Sequence, residues 1–173
     1  MKKTLVLFAH PYFEHSTTNV ELVKVYEKHS YTVLRDIYEE YPDFHIQPFR
    51  ERKRMQNFDR VIFHFPLIWF GMPPLLKLWI DEVMDFKWMC QDDDNPFSGK
   101  EAIIVVTAGA NEESYSEKGM YHTKISDLTL GLKLCIETNN LILKDEIIIY
   151  QADDIKMFEL ESYMKKLNKI LNE

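Results

Sequence analysis

The chain has 173 residues, a length that predicts one domain over 1–173 and leaves little room for two. Hydrophobic residues make up 46% and charged residues 28%, a composition that folds rather than staying disordered. The net charge of −7, from 21 Lys and Arg against 28 Asp and Glu, argues against nucleic acid or an anionic membrane as the main partner, since both reward a basic face.

Met1–Ala9 begins with lysines and turns apolar, but the apolar run is too short for a signal peptide and His10-Pro11 follows it. Leu5–Ala9 instead reads as a buried strand, and Thr17–Lys28 as a helix capped by Ser16. Tyr31–Tyr38 is a second strand and Gln47–Asn57 a second helix. Val61–Phe65 is a third strand, apolar enough to be covered on both faces. Pro73 and Pro74 open a helix over Leu75–Met84, the position where proline is tolerated. Residues 85–100 are irregular and carry the acidic run Asp92-Asp93-Asp94, read as a solvated loop. Ala102–Thr107 is a fourth strand, 108–123 a loop, Lys124–Glu137 a helix, Leu141–Tyr150 a fifth strand and Asp154–Leu171 a closing helix. The last helix carries an apolar stripe of Leu160, Met164, Leu167 and Leu171.

No segment reaches the roughly 18 uninterrupted apolar residues of a membrane helix. Cys90 and Cys135, without a CxxC or paired framework, read as reduced thiols, and the expected location is the cytoplasm.

Strands alternating with helices predict right-handed crossovers and a parallel, doubly wound sheet. Such a sheet takes ligands outside the carboxyl ends of its strands, beside the point where strand order reverses. The loops after strands one, three and four are therefore where function is expected.

The first loop, His10 to Asn19, has no GxGxxG and no GxxxxGK. It brings Ser16, Thr18 and Asn19 to a helix N-terminus, whose free N–H groups and dipole favour a phosphate. Ser16 acting only as a helix cap is the plainer alternative. The second loop, Pro66-Leu67-Ile68-Trp69-Phe70-Gly71-Met72-Pro73, places two large aromatics at the sheet edge, suited to wall in a planar heterocycle or to fill a subunit interface. In the third, Thr107-Ala108-Gly109-Ala110, Gly109 admits a flat ring close to the backbone. Tyr115 and His122 follow as candidate hydrogen-bond or proton donors, with an ordinary surface histidine as the alternative for His122.

These segments resemble the NAD(P)H:quinone oxidoreductases, a family of flavodoxin-like flavoproteins. The resemblance rests on Ala9-His10-Pro11, Ser16–Asn19, and above all Phe65 to Asp81 with its proline-tryptophan loop. Tyr41–Ile46 and Leu75–Asp81 are most similar to a bacterial branch of potassium-efflux ancillary oxidoreductases and general stress proteins. The resemblance implies an α/β fold with a five-stranded parallel sheet in order 2-1-3-4-5, helices on both faces, a homodimer, and FMN or less often FAD at the carboxyl edge. It assigns His10, Ser16, Thr18 and Asn19 to the phosphate and ribityl chain. Pro66, Leu67, Ile68, Trp69 and Phe70 fall to the isoalloxazine, and Thr107, Ala108, Gly109 and Ala110 to its pyrimidine edge. Tyr115 would contact the flavin and help stabilise its reduced form.

The chain departs from that pattern in three places. Ala108 and Ala110 stand where Thr-Thr-Gly-Gly is usual. Tyr121 holds the usual position of the relay histidine, with His122 one residue on. Met89–Asp94 replaces a Gly-rich stretch, and its charge would disfavour the extra phosphate of NADPH.

The implied activity is ping-pong hydride transfer from NAD(P)H through the flavin to a quinone-like acceptor. Two other readings stand beside it, a one-electron flavodoxin-type carrier and a regulatory subunit of a potassium-efflux transporter. A receiver domain shares the sheet order but needs clustered aspartates after strand one, where this chain has His10-Pro11.

Overall fold

The structure, a computed structural model, describes residues 1–85 and 95–173. The acidic run and Cys90, with the coenzyme preference drawn from them, lie outside the described residues.

Five parallel strands form one sheet in the order β2-β1-β3-β4-β5. They are β1 (Thr4–Phe8), β2 (Thr32–Asp36), β3 (Arg60–Pro66), β4 (Glu101–Thr107) and β5 (Ile142–Ile149). Among the described residues the helices are α1 (Thr17–Glu27), α2 (Ile37–Glu40), α3 (Pro48–Met55), α4 (Pro74–Val83), α5 (Ile125–Leu128), α6 (Leu130–Thr138) and α7 (Met157–Asn172). Order reverses at β1, so the crevice between the ends of β1 and β3 is where a doubly wound sheet takes its ligand.

β1 is buried along its whole length because helices cover both of its faces. Alternate residues point to opposite layers. On one face Leu5, Leu7, Phe63 and Ile104 pack under α3, α4 and α6. On the other Val6, Phe8, Ile62 and Val105 pack under α1 and α7. In the first layer Glu51, nearly inaccessible, accepts hydrogen bonds from the Tyr41 hydroxyl (2.6 Å), the Trp79 indole (3.0 Å) and Arg54 (2.5 Å). A carboxylate with that many donors tolerates burial.

Two expected elements differ. β2 stops at Asp36 because its carboxylate caps the short α2, accepting the Tyr38 and Glu39 amides. The helix expected over Lys124–Glu137 breaks at Thr129, whose buried hydroxyl turns inward to the Glu146 carboxylate on β5. Among the described residues no helix is long and apolar enough to cross a membrane.

Candidate functional site

At the carboxyl edge of the sheet a cavity of about 290 Å³ opens between the ends of β1, β3, β4 and β5. The first loop gives it His10, Ser16 and Asn19, the second Pro66, Leu67 and Ile68, and the third Thr107 and Gly109. Eight of the sequence-expected residues thus share one wall system. Tyr12, His15, Ala152 and Asp153 complete the lining and were not anticipated. The signal for the last two was available: the loop after strand five ends at the same edge as the other three.

Backbone hydrogen bonds lock these loops together. Leu67 N–H donates to Thr107 C=O (2.8 Å), Ala152 N–H to Ala108 C=O (2.9 Å) and Gln151 N–H to Ala110 C=O (3.1 Å). The Thr18 hydroxyl donates to Ala152 C=O at 2.5 Å and is 2% exposed. Thr18 therefore fastens α1 to the loop after β5, and its hydroxyl hydrogen is not available to a ligand. This corrects its expected part as a phosphate donor.

Ser16 caps α1 by accepting the Asn19 amide at 3.3 Å. The cap leaves the Thr17 and Thr18 amides as the open donors of the first turn, at the positive end of the helix dipole. Asp153 sits by Gly109, where a Cβ would come within 3.3 Å of its carboxylate. Burial lowers the pKa of His10, which the nearby Asp153 charge opposes. Hydroxyl and amide donors together with a carboxylate acceptor suit a ligand that carries both an anion and N–H groups.

The second loop turns back at Ile68 and Gly71, which bond to each other through a turn of Trp69 and Phe70. Both turn residues take left-handed backbone, φ 45° and 63°, as a type I′ turn demands, where Asn-Gly is the usual pair. Trp69 is 92% exposed. Phe70 instead meets Tyr121 edge to face (centroids 5.1 Å apart), and Tyr121 leans on Tyr115 at 4.8 Å. Burial raises the Tyr115 hydroxyl pKa, with Tyr121 adding to the rise. Trp69, Phe70 and Tyr115 are not among the cavity's lining residues, and nor are Ala108 or Ala110. His122 also stands apart, exposed and 3.3 Å from Glu117 C=O through Nδ1. Tyr121, not His122, is the residue packed on Tyr115.

A larger cavity, about 470 Å³, lies at the other end of the sheet among Lys2, Arg60, Glu101 and Lys166. Arg60 there is already bonded to Glu101 and to Ile170 C=O, so its polar groups are satisfied within the chain.

Comparison with known proteins agrees with this geometry. Residues 2–171 match the family described as having a flavodoxin-like fold. General stress protein 14 of Bacillus subtilis is 39% identical over 140 residues, 81% of this chain and 78% of its own. An uncharacterized NAD(P)H oxidoreductase of the same organism, YdeQ, is 33% identical over 98% of this chain and 87% of its own. The crystal structure of a general stress protein 14 from Treponema denticola, solved in complex with FMN, superposes with a TM-score of 0.87 at 24% identity, covering 98% of each chain.

Proposed function

From the premise that this chain belongs to the flavodoxin-like fold family, we propose that it is a flavin-dependent NAD(P)H oxidoreductase acting on a quinone or similar electrophilic acceptor. The observation that carries this reading is the cavity itself, with anion donors at the α1 N-terminus and Pro66–Ile68 beside Gly109 at the strand edge. FMN fits this donor set: its phosphate suits the Ser16 hydroxyl and the Thr17 and Thr18 amides. The flat ring suits the wall of Pro66, Leu67 and Ile68, and Asp153 is an acceptor of the kind a ring imide N–H needs.

When bound, the flavin supplies the two-electron hydride chemistry; the protein supplies binding, orientation and electrostatics. The mechanism proposed is ping-pong, with coenzyme and acceptor using one slot in turn. Gly109 lines that slot, and a backbone amide there would stabilise negative charge on the bound ring. Tyr115, held neutral by burial, is the proposed hydroxyl donor, and Tyr121 positions it. His122, exposed and apart from the cavity, is given no part in that step. Exposed Trp69, Met120, Leu130 and Leu134 support pairing of two copies as a homodimer.

The test is spectroscopic. The purified protein, or the chain after FMN reconstitution, is expected to be yellow, to bleach under NADH or NADPH without oxygen, and to regain colour with a quinone. A protein that stays colourless after reconstitution overturns the reading. A bound flavin that NADH and NADPH both leave unreduced removes the oxidoreductase assignment while keeping the flavin.

A further inference from the structure

His64 has no exposed surface and lies mid-strand in β3, on the face covered by α1 and α7. Phe8 and Tyr26 meet its ring edge to face, at 5.1 and 5.6 Å. It is an expensive residue to bury, and both of its nitrogens are engaged. Nδ1 is 3.0 Å from the Tyr26 hydroxyl, and Nε2 is 2.9 Å from Asn19 Oδ1. The Asn19 side-chain NH₂ in turn reaches Ser16 Oγ at 2.8 Å and Thr107 Oγ1 at 3.3 Å. A buried polar line thus runs from the α1 core to two residues that line the cavity.

The direction of that line follows from donor and acceptor counts. An amide oxygen only accepts, so Nε2 carries the imidazole hydrogen and Nδ1 accepts from the Tyr26 phenol. Desolvation keeps the imidazole neutral, with His10 adding to the effect, so it cannot donate from both nitrogens. Burial likewise keeps the Tyr26 hydroxyl protonated. At the far end, Ser16 Oγ accepts twice, from the Asn19 side chain and from its backbone amide. With its lone pairs occupied, the hydroxyl has its hydrogen left, and Ser16 lines the cavity. The opposite order, with every bond reversed, would turn that hydrogen inward to Asn19.

We propose that His64 is a positioning residue: through Asn19 it holds the Ser16 hydroxyl as an outward donor, and so makes the cavity prefer a phosphate-bearing ligand to its neutral counterpart. This rests on the flavin reading above for the identity of the ligand, FMN, and of its neutral counterpart, riboflavin.

The experiment compares the apoprotein with its His64→Leu, His64→Gln and Tyr26→Phe variants. Affinity for FMN and for riboflavin is read from quenching of flavin fluorescence. Loss of a hydrogen bond to a charged group predicts that His64→Leu weakens FMN about tenfold or more. Riboflavin should stay within about twofold, because it lacks the anion that the hydroxyl meets. His64→Gln, whose amide can accept from Tyr26 and donate to Asn19, should recover most of the preference. Tyr26→Phe, which removes one hydroxyl and risks the fold least, should weaken FMN about threefold through loss of polarisation along the line.

Equal losses for both ligands would reduce His64 to a packing element and overturn the proposal, as would an FMN affinity that does not change. Nitrogen-15 spectra of the histidine ring give a readout independent of any ligand. The Nε2–H tautomer is expected, and the Nδ1–H tautomer overturns the assigned direction. A wild-type protein that binds neither flavin defeats the flavin reading alone. The proposal is then judged with inorganic phosphate, which should shift the amide signals of Ser16 to Asn19 in the wild type and not in His64→Leu. Equal shifts in both overturn it.

Discussion

Ile68 and Gly71 exchange both backbone hydrogen bonds, at 2.9 and 3.0 Å, across a turn that consists only of Trp69 and Phe70. Bulky residues in the left-handed region cost about 1–2 kcal/mol each, so this turn stores strain at the edge of the cavity.

Replacing Trp69-Phe70 by Asn-Gly, the pair that this turn favours, should therefore raise stability by about 1–2 kcal/mol. A urea melt checks it. A lowered midpoint would mean that the Phe70–Tyr121 contact outweighs the strain.

Gly119→Ala should be severely destabilising, because its Cβ would fall 1.9 Å from Glu113 C=O and 2.8 Å from Ser114 C=O. Backbone atoms cannot step aside, so about 1–3 kcal/mol is expected. Gly131→Ala is the control: nothing lies within 4 Å, and the site is within α6. That change should gain about 0.5–1 kcal/mol. Thermal melts of the two variants should move in opposite directions.

Thr18→Val removes the hydroxyl that holds α1 to the loop after β5 and leaves Ala152 C=O without that donor. A stability loss of about 1–3 kcal/mol is expected, since a buried acceptor loses its partner. Hydrogen exchange should locate the loosening at residues 150–154. Unchanged protection there would falsify the fastening role.

His64 makes stability depend on pH in a definite direction. Its folded pKa is lowered from 6.5 to about 3 by burial, and His10 adds to the shift. The unfolded chain then binds the extra proton first, so the stabilising contribution is complete above pH 6.5 and is lost as pH falls toward 3. The slope is about 1.4 kcal/mol per pH unit for one proton. His64→Gln keeps every other titrating group, so between pH 6 and about 4.5 it should show a shallower decline than the wild type. Parallel curves for the two proteins would count against this.

Much of the fold was legible because uniformly apolar strands and capped amphipathic helices leave a local signature. Val61 to Phe65 and the Ser16 cap are examples. What sequence could not supply was the engagement of polar side chains across distant segments. Thr18 looks like a free hydroxyl beside Ser16, and only the position of Ala152 removes its hydrogen from the ligand. Thr129 sits within a helical pattern that a carboxylate on β5 interrupts. His64 lies in an apolar run, and its partners at 19 and 26 come into reach only when α1 docks on the sheet. The cavity's chemistry was readable from its loops; Asp153, on the loop after strand five, comes to the cavity only when that loop closes beside Gly109.

The Thr18–Ala152 hydrogen bond joins residues 134 positions apart. During synthesis α1 emerges early, yet the cavity has no closing wall until Ala152 and Asp153 have left the ribosome as well. Any molecule that prefers the finished cavity meets the chain at its last step and acts as a brake on reopening. At a hundred times its dissociation constant it would add about 2.7 kcal/mol. In a cell short of that molecule, a larger share of chains would stand open to proteases, so abundance of the protein would follow supply of its ligand.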